Sequence, residues 1–146
     1  MVIETSAQIQ FSVSPWEPVE LVAGGNVGYP GARVQNEGSG PVPGQDIIVT
    51  LPPGRRLRFE PETGAIYHLT VFDHVRAIRN YPGNLSPDGA TLNFKDVDLG
   101  IPEPGSLSAL WVAVTAAIDA PAGTTNLAFV VGGRSSNSSA ITVRPT

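Results

Sequence analysis

The sequence predicts an all-β protein, an antiparallel sandwich of about 7–9 short strands. Apolar and polar residues alternate over several short segments, as in strands that bury one face. Turn signals built from Gly, Pro, Asn and Asp recur every ~8–12 residues. The chain also has 16 Gly, 14 Pro and only 15% charged residues, a composition that is unfavourable for helices. Together these features are typical of an immunoglobulin-like sandwich.

The longest strand-like segment, residues 106–118, predicts a central strand against which the others pack. One parity of the segment consists of large aliphatic residues: Leu110, Val112, Val114 and Ile118. The other parity contains Trp111 among small residues: Ala109, Ala113 and Thr115. A period of two with β-branched residues indicates that the aliphatic parity faces a core.

The remaining strands follow from the same alternation. Residues 3–13 predict a first, half-buried strand, which ends at Pro15-Trp16-Glu17-Pro18 because proline interrupts ladder pairing. Residues 73–79 fit either a strand extension or one helical turn. Further strands are predicted at residues 27–36, 44–51, 55–59, 65–72, 91–94, 126–131 and 140–143. We expect one domain over residues 1–146, with residues 1–25 forming an added strand region.

Charge and composition exclude several functions. A net charge of −4 argues against a nucleic-acid partner, which requires concentrated Lys and Arg. The absence of cysteine excludes disulfides, thiol catalysis and cysteine-ligated zinc. No window approaches the ~20 apolar residues of a membrane span, so no membrane insertion is expected. The first residues lack the basic start and apolar run of a signal peptide.

Four motifs resemble a class of bacterial immunoglobulin-like β-sandwich domains of the DUF11, NEW3 and CARDB types. The motifs are Val34-Gln35-Asn36-Glu37-Gly38, Ile47-Ile48-Val49-Thr50-Leu51-Pro52-Pro53-Gly54, Val97-Asp98-Leu99-Gly100 and Ile118-Asp119-Ala120-Pro121-Ala122-Gly123. The resemblance spans residues 28–143. Its motifs consist of residues that form turns, so they specify the fold better than the function. Two parts of the chain depart from the pattern of these domains. The segment of residues 67–81 is longer and more polar than expected, and the N-terminal extension with Trp16 is unusual.

The resemblance implies a noncatalytic module of an exported or cell-surface bacterial protein, used as a spacer, for adhesion or beside an enzyme domain. It implies an extracellular or cell-surface location, and a cytoplasmic location stays open because the chain shows no signal peptide. The expected partners are a protein or polysaccharide surface and other domains of a longer chain. Low charge leaves self-association open.

Five aromatic residues are the candidate ligand-binding residues: Trp16, Tyr29, Tyr67, Tyr81 and Trp111. Trp111 on a face of small residues could stack a sugar ring, and Trp16 between two prolines could be presented on a loop. A central sandwich strand also commonly buries one Trp in the core. These aromatics support the alternative hypothesis of a carbohydrate-binding module.

Three carboxylates are the candidate metal ligands: Asp73, Asp96 and Asp98. Asp88, Glu103 and the two histidines, His68 and His74, could join them if the loops meet. Hard oxygen ligands suit calcium, which gives a third hypothesis, a calcium-dependent binding domain or a small metal-assisted enzyme. The alternative is that the acids are solvated and protect strand ends from edge pairing. No other cofactor is expected.

No catalytic motif is present. The sequence lacks a G-x-S-x-G nucleophile elbow, and glycoside hydrolysis by paired carboxylates normally needs a deep cleft. We therefore expect no enzymatic activity. A structural module predicts that both tryptophans are buried or at contacts, a carbohydrate module predicts an exposed coplanar pair, and a metal site predicts that acids and histidines converge.

Overall fold

The computed structural model describes residues 10–62 and 64–146, which form strands and no helix. The strands are Phe11–Pro15 (β1), Val19–Val22 (β2), Gly31–Asn36 (β3), Gln45–Thr50 (β4), Leu57–Phe59 (β5), Tyr67–Phe72 (β6), Ile78–Leu85 (β7), Thr91–Val97 (β8), Leu107–Trp111 (β9), Val114–Ala116 (β10), Gly123–Thr125 (β11), Ala128–Val131 (β12), Arg134–Asn137 (β13) and Ile141–Arg144 (β14). The all-β prediction is confirmed.

Nine strands form one folded sheet in the order β1-β3-β9-β6-β7-β8-β4-β12-β13. The sheet bends back on itself at β7. This strand pairs with β6 through residues 78–83 and with β8 through Asn84 and Leu85. The edge strands β1 and β13 then approach each other, and the Arg134 guanidinium lies 4.2 Å from the centre of the Phe11 ring. The two halves of this sheet therefore face each other as the layers of a sandwich.

Two small sheets complete the architecture. β14 pairs antiparallel with β11 and parallel with β2, and β10 pairs antiparallel with β5. A bridge between Gly28 and Val114 and a hydrogen bond from the Gly24 N–H to the Ala116 carbonyl join these small sheets. The N-terminal strands β1 and β2 thus add to two different sheets. The prediction of one domain over residues 1–146 remains a prediction, and residues 1–9 of the predicted first strand lie outside the described residues.

The core lies between the halves of the folded sheet and follows the alternation of the sequence. Its largest fully buried side chains are Phe94, Phe129, Leu21, Ile47, Leu69, Leu92, Leu99, Ile101, Leu110, Leu127, Ile141 and Val34. On β4 the neighbours Ile47 and Ile48 differ sharply, with 0% and 38% of their surfaces exposed. One face of each such strand is therefore in the core and the other is in contact with solvent.

The predicted strand over residues 106–118 is two strands. β9 pairs with β3 and β6, whereas β10 pairs with β5 after an interruption at Val112 and Ala113. Leu110, Val112 and Val114 are buried as predicted. The prediction for Ile118 is wrong, since it is 74% exposed. It lies beyond β10 in a turn closed by a hydrogen bond from the Ala120 N–H to the Ala117 carbonyl.

Residues 73–77 form the turn between β6 and β7. The Asp73 N–H donates to the Ala77 carbonyl at 3.0 Å, and the Arg76 N–H donates to the Asp73 carbonyl at 2.9 Å. β7 starts directly afterwards at Ile78. The segment is therefore a hairpin turn, and neither of the two structures expected for residues 73–79 describes all of it.

The two isoleucines on β4 provide a matched test of the layer assignment. We expect Ile47→Ala to lower the free energy of unfolding by about 2–5 kcal/mol, because it removes a fully buried side chain. Ile48→Ala should cost about 0.5–1 kcal/mol, since much of its surface already contacts water. Urea unfolding of both variants measures the difference. Equal losses at the two positions would contradict the assignment of the two faces.

Candidate functional site

The β6–β7 turn and the β8–β9 loop, residues 98–106, meet at one end of the sandwich. The Asp73 carboxylate fixes the turn from within, because its Oδ1 accepts hydrogen bonds from the N–H groups of Val75 at 3.1 Å and Ala77 at 2.9 Å. Short polar side chains commonly stabilise turns in this way. The turn therefore has a defined conformation that positions the residues on either side of it.

Arg79 joins this turn to the β8–β9 loop. Its Nη1 donates to Asp98 Oδ2 at 3.0 Å, and its Nη2 donates to Asp73 Oδ2 at 3.4 Å. Nη2 also donates to the Asp98 carbonyl at 3.2 Å. A planar guanidinium can serve several acceptors at once, so one side chain holds two chain segments together.

Gly100 makes the close approach of these segments possible. Its φ is +70°, and a Cβ at this position would lie 2.3 Å from Asp73 Cβ and 2.7 Å from Arg79 Nη2. The Gly100 carbonyl accepts from the His74 N–H at 3.3 Å and contacts His74 Nδ1 at 2.9 Å. Since a carbonyl only accepts, Nδ1 carries the proton in that contact.

Asp98 is ionised in this environment. The hydrogen bond from the Gly100 N–H to Asp98 Oδ1, 2.9 Å long, lowers the pKa of the Asp98 carboxyl, and the Arg79 guanidinium lowers it further. Partial burial, the largest effect after the Gly100 hydrogen bond, acts in the opposite direction but does not outweigh the lowering effects together. The carboxylate is therefore the stable form of Asp98 at neutral pH.

The predicted metal ligands lie around one open cleft of about 560 Å³, but an arginine is among them. Asp73, Asp96 and Asp98 line the cleft together with Arg79 and His74. No group of three or more His, Asp or Glu side chains within residues 10–62 and 64–146 is arranged to hold a metal ion. Asp73 and Asp98 instead share the charge of Arg79. A calcium site there stays a prediction.

The other residues considered for this site lie elsewhere. His68 is on β6 and is paired with Pro82. Asp88 accepts from Ser86 Oγ at 2.6 Å in the β7–β8 turn, and the backbone of Glu103 contacts Ser106 in the β8–β9 loop. They do not join the three aspartates around the cleft.

A second depression, which we name the aromatic groove, adjoins the cleft and shares Asp73 and His74 with it. It has a volume of about 370 Å³ and is lined by Trp16, Arg33, Phe72, Asp73, His74, Arg76, Leu107, Ser108 and Ala109. Strand register explains its floor, because Ala109 on β9 is paired with Arg33 on β3 and with Phe72 on β6. The small Ala109 lies between two large neighbours, which leaves a depression in the sheet face.

The walls of the aromatic groove are apolar and its edges are cationic. Leu107 is 44% exposed, and Trp16 and Phe72 are half-buried. The Arg33 guanidinium lies 5.8 Å from the centre of the Trp16 ring, a cation–π contact. Neither Arg33 nor Arg76 forms an ion pair with any residue that the structure describes.

The five predicted aromatic ligands do not form one platform. Trp111 is half-buried and packs against Phe72, with ring centres 6.2 Å apart and planes tilted by 41°. Tyr29 is 45% exposed outside the groove. Tyr67 lines a separate cleft, and the Tyr81 hydroxyl accepts from the Asp98 N–H at 3.3 Å. Of the five, Trp16 alone is a lining residue of the groove.

Sequence reasoning missed Arg33, Phe72, Arg76 and Leu107. The sequence pattern could have identified Phe72. It alternates with Leu69 and Val71 on β6 and so lies on the same face of the strand as His68 and Thr70. A large aromatic residue on the otherwise polar face of a strand is a candidate for a contact outside the core.

Comparison with solved structures shows the fold. The major pilin subunit BcpA of Bacillus cereus matches with a TM-score of 0.54 and 13% identity, over 100% of this chain and 44% of the pilin chain. A CARDB domain from Pyrococcus furiosus, solved in complex with di-metal ions, matches with a TM-score of 0.46 and 10% identity, over 98% of this chain and 100% of that one. The present chain thus spans less than half of the pilin subunit.

A serine-rich repeat adhesion glycoprotein of Streptococcus agalactiae also matches, with a TM-score of 0.40 and 8% identity, over 94% of this chain and 46% of that chain. Enzymes are among the matching chains as well. No protein-family model and no curated protein matches the sequence. The sandwich fold shared with the pilin subunit therefore agrees with the fold class predicted from the sequence.

None of the described residues belongs to a helix that is long and apolar enough to span a membrane.

Two glycines with positive φ test the packing at the site. Gly89→Ala, where φ is +76° and no atom lies within 4 Å of a new Cβ, should cost about 1–2 kcal/mol of unfolding free energy through backbone strain alone. Gly100→Ala carries the same strain and also pushes Asp73 and Arg79 apart, so its loss should exceed that of Gly89→Ala by about 1–3 kcal/mol. Chemical denaturation provides both values, and similar losses would argue against close packing at Gly100.

The lowered pKa of Asp98 gives a pH dependence with a defined sign. The unfolded chain binds a proton on this residue at higher pH than the native chain does, so the contribution of Asp98 to stability is fully present above its unfolded pKa of ~3.9 and is lost as the pH falls through the lower native pKa. Asp98→Asn should therefore flatten the fall in stability below about pH 4. Denaturation curves from neutral to acidic pH measure this; identical pH profiles would contradict it.

Proposed function

We propose that this chain is a noncatalytic protein-interaction module of an exported or cell-surface protein, and that it binds its partner in the aromatic groove. The observation that carries the proposal is a partly exposed hydrocarbon surface, formed by Trp16, Phe72 and Leu107, on the outer face of a sheet whose inner face is in the core. Partly exposed aromatic and aliphatic side chains of this kind are typical anchors of protein interfaces.

The surroundings of the groove support binding more than catalysis. The carboxylates of Asp73 and Asp98 are occupied by Arg79 and by backbone N–H groups, so they are unsuited to act as general acid or base. These contacts also hold the groove in a defined shape before any partner arrives. Preorganisation of this kind lowers the entropic cost of binding.

An exported or cell-surface location is the second part of the proposal. A major pilin subunit contains a region with the same fold, and the turn motifs resemble domains of exported bacterial proteins. The fold supports this location by analogy only.

A carbohydrate-binding module is the second candidate, and Trp16 on an open groove favours it. Aromatic rings of this kind can stack sugar rings through their apolar faces. A calcium-dependent binding domain is the third candidate and would use the cleft lined by Asp73, Asp96 and Asp98. Calcium that binds there would stabilise the native state by RT ln(1 + c/Kd), where c is the free calcium concentration, so the thermal midpoint would rise with the logarithm of that concentration above Kd.

Selection from phage-displayed random dodecapeptides tests the leading proposal. We expect peptides enriched on the wild-type protein to bind Trp16→Ala about tenfold or more weakly, because the variant removes an anchor of the groove. Tyr29→Ala is the matched control, since Tyr29 is an exposed aromatic residue that does not line the groove. It should bind as the wild type does. Urea midpoints of both variants confirm that they fold.

Peptides that bind Trp16→Ala and the wild type equally would show that the groove is not the binding surface. An absence of enriched peptides, together with a blue shift of tryptophan emission in one soluble polysaccharide, would instead favour the carbohydrate-binding module.

A further inference from the structure

We propose that the aromatic groove selects a peptide segment in which an acidic residue lies next to a large apolar residue. The inference rests on the proposed function and specifies its ligand. It is based on the charges of the groove, on the exposed apolar surface beside it and on the hydrogen-bonding groups that its walls offer.

The arginines of the groove differ from four other arginines of the chain. Arg56, Arg58, Arg79 and Arg144 each form an ion pair with a carboxylate. Arg33 and Arg76 form none with the described residues, and both line the groove. The one carboxylate that lines the groove, Asp73, already interacts with Arg79. In a chain of net charge −4, this groove is therefore a locally cationic surface that complements an anionic ligand.

Arg33 belongs to the aromatic wall of the groove as well as to its charge. Its guanidinium lies over the Trp16 ring, 5.8 Å from the ring centre, and a cation–π contact of this kind restricts a side chain that would otherwise lose entropy on binding. A guanidinium also presents its N–H groups in a planar fork, which can donate to a carboxylate in a bidentate arrangement.

The apolar surface extends beyond the groove. Val75 and Ile78, at the turn and at the start of β7, are 66% and 63% exposed, and Leu107 is 44% exposed. Phe72 lies on the same hairpin and its pairing partner across the ladder is Ile78. This surface can bury an aliphatic or aromatic side chain of a ligand, which stabilises the complex by removing apolar area from water.

The same walls favour a peptide over a sugar. A sugar ring needs several hydrogen-bonding side chains to recognise its hydroxyls. Ser108 lines the groove, but its Oγ is buried and offers no hydrogen bond to a ligand there. The oxygens of Asp73 are occupied by Arg79 and by the turn. Hydrocarbon walls with two arginines match an apolar side chain beside a carboxylate.

Three model peptides with the same apolar centre test the inference: Ac-Gly-Asp-Leu-Phe-Glu-Gly-NH2, its Asn/Gln counterpart and its Lys/Lys counterpart. Titration into ¹⁵N-labelled protein, followed by amide chemical shifts, gives a Kd for each peptide and maps its site. We expect the acidic peptide to bind about 5–20-fold more tightly than the amide peptide, since a charge-assisted hydrogen bond contributes about 1–2 kcal/mol more than a neutral one. The shifts should centre on Phe72, Leu107 and Ala109.

The double variant Arg33→Gln/Arg76→Gln should abolish the preference for the acidic peptide, so that the acidic and amide peptides bind this variant with equal affinity. Arg58→Gln/Arg144→Gln is the matched control, because both of these arginines are exposed and remote from the groove. It should retain the preference. Raising the salt from about 0.02 M to about 0.5 M should reduce the preference, since it screens exposed charges.

Equal affinities for the acidic and amide peptides at the groove would overturn the inference and leave the proposed function standing. Groove shifts with sodium polygalacturonate and none with the acidic peptide would also overturn it, since the ligand would then be a carboxylated polysaccharide. Failure of all three peptides to shift groove residues overturns the inference too. The proposed function would fall only if peptides from the display selection also bound outside the groove or none were enriched.

Discussion

The guanidinium of Arg79 holds the turn between β6 and β7 against the loop between β8 and β9. An isolated surface ion pair contributes only about 0–1 kcal/mol, so the importance of this contact lies in position more than in stability. Asp73 and Asp98 both form an ion pair with Arg79. The conformation of the β6–β7 turn then determines where Phe72, His74 and Arg76 lie along the aromatic groove.

The sheet below the aromatic groove also holds the lining side chains in place. β3, β9 and β6 are hydrogen-bonded neighbours, and their inward residues, among them Val34, Leu110 and Val71, are fully buried. A sheet anchored by its inner face holds its outer side chains at fixed spacings. Cross-strand pairing brings Arg33, Ala109 and Phe72 into one row, although they are far apart in sequence. The depression over Ala109 is thus a product of topology.

The alternation of apolar residues was sufficient to predict the fold class and much of the core. Ile47, Val49, Leu110 and Val112 are buried as expected, because the alternation that marks a half-buried strand is visible in the local sequence. The interruption between β9 and β10 was not predictable, since it arises from the choice of different partners, β6 and β5, on its two sides. Pro82 and Gly83, residue types that are typical of turns, lie within β7 at the point where this strand changes partners.

The candidate site was predictable only in part. Trp16 was identified by its context between prolines, and Asp73, Asp96 and Asp98 do line one cleft. The sequence could not show that Arg79 would lie between Asp73 and Asp98 and form an ion pair with each carboxylate. Nor could it show which arginines remain unpaired, because pairing depends on contacts between distant strands.

Isotope-edited nuclear Overhauser spectroscopy on the complex with a selected dodecapeptide tests the central claim most directly. The claim is that a preformed groove beside the Arg79 cluster is the binding surface. It predicts intermolecular contacts from the peptide to the Trp16 indole, the Phe72 ring and the Leu107 methyl groups, with the β6–β7 turn unchanged on binding. Contacts centred on Tyr29 or on the outer edge of β13, with none to these three side chains, would contradict it.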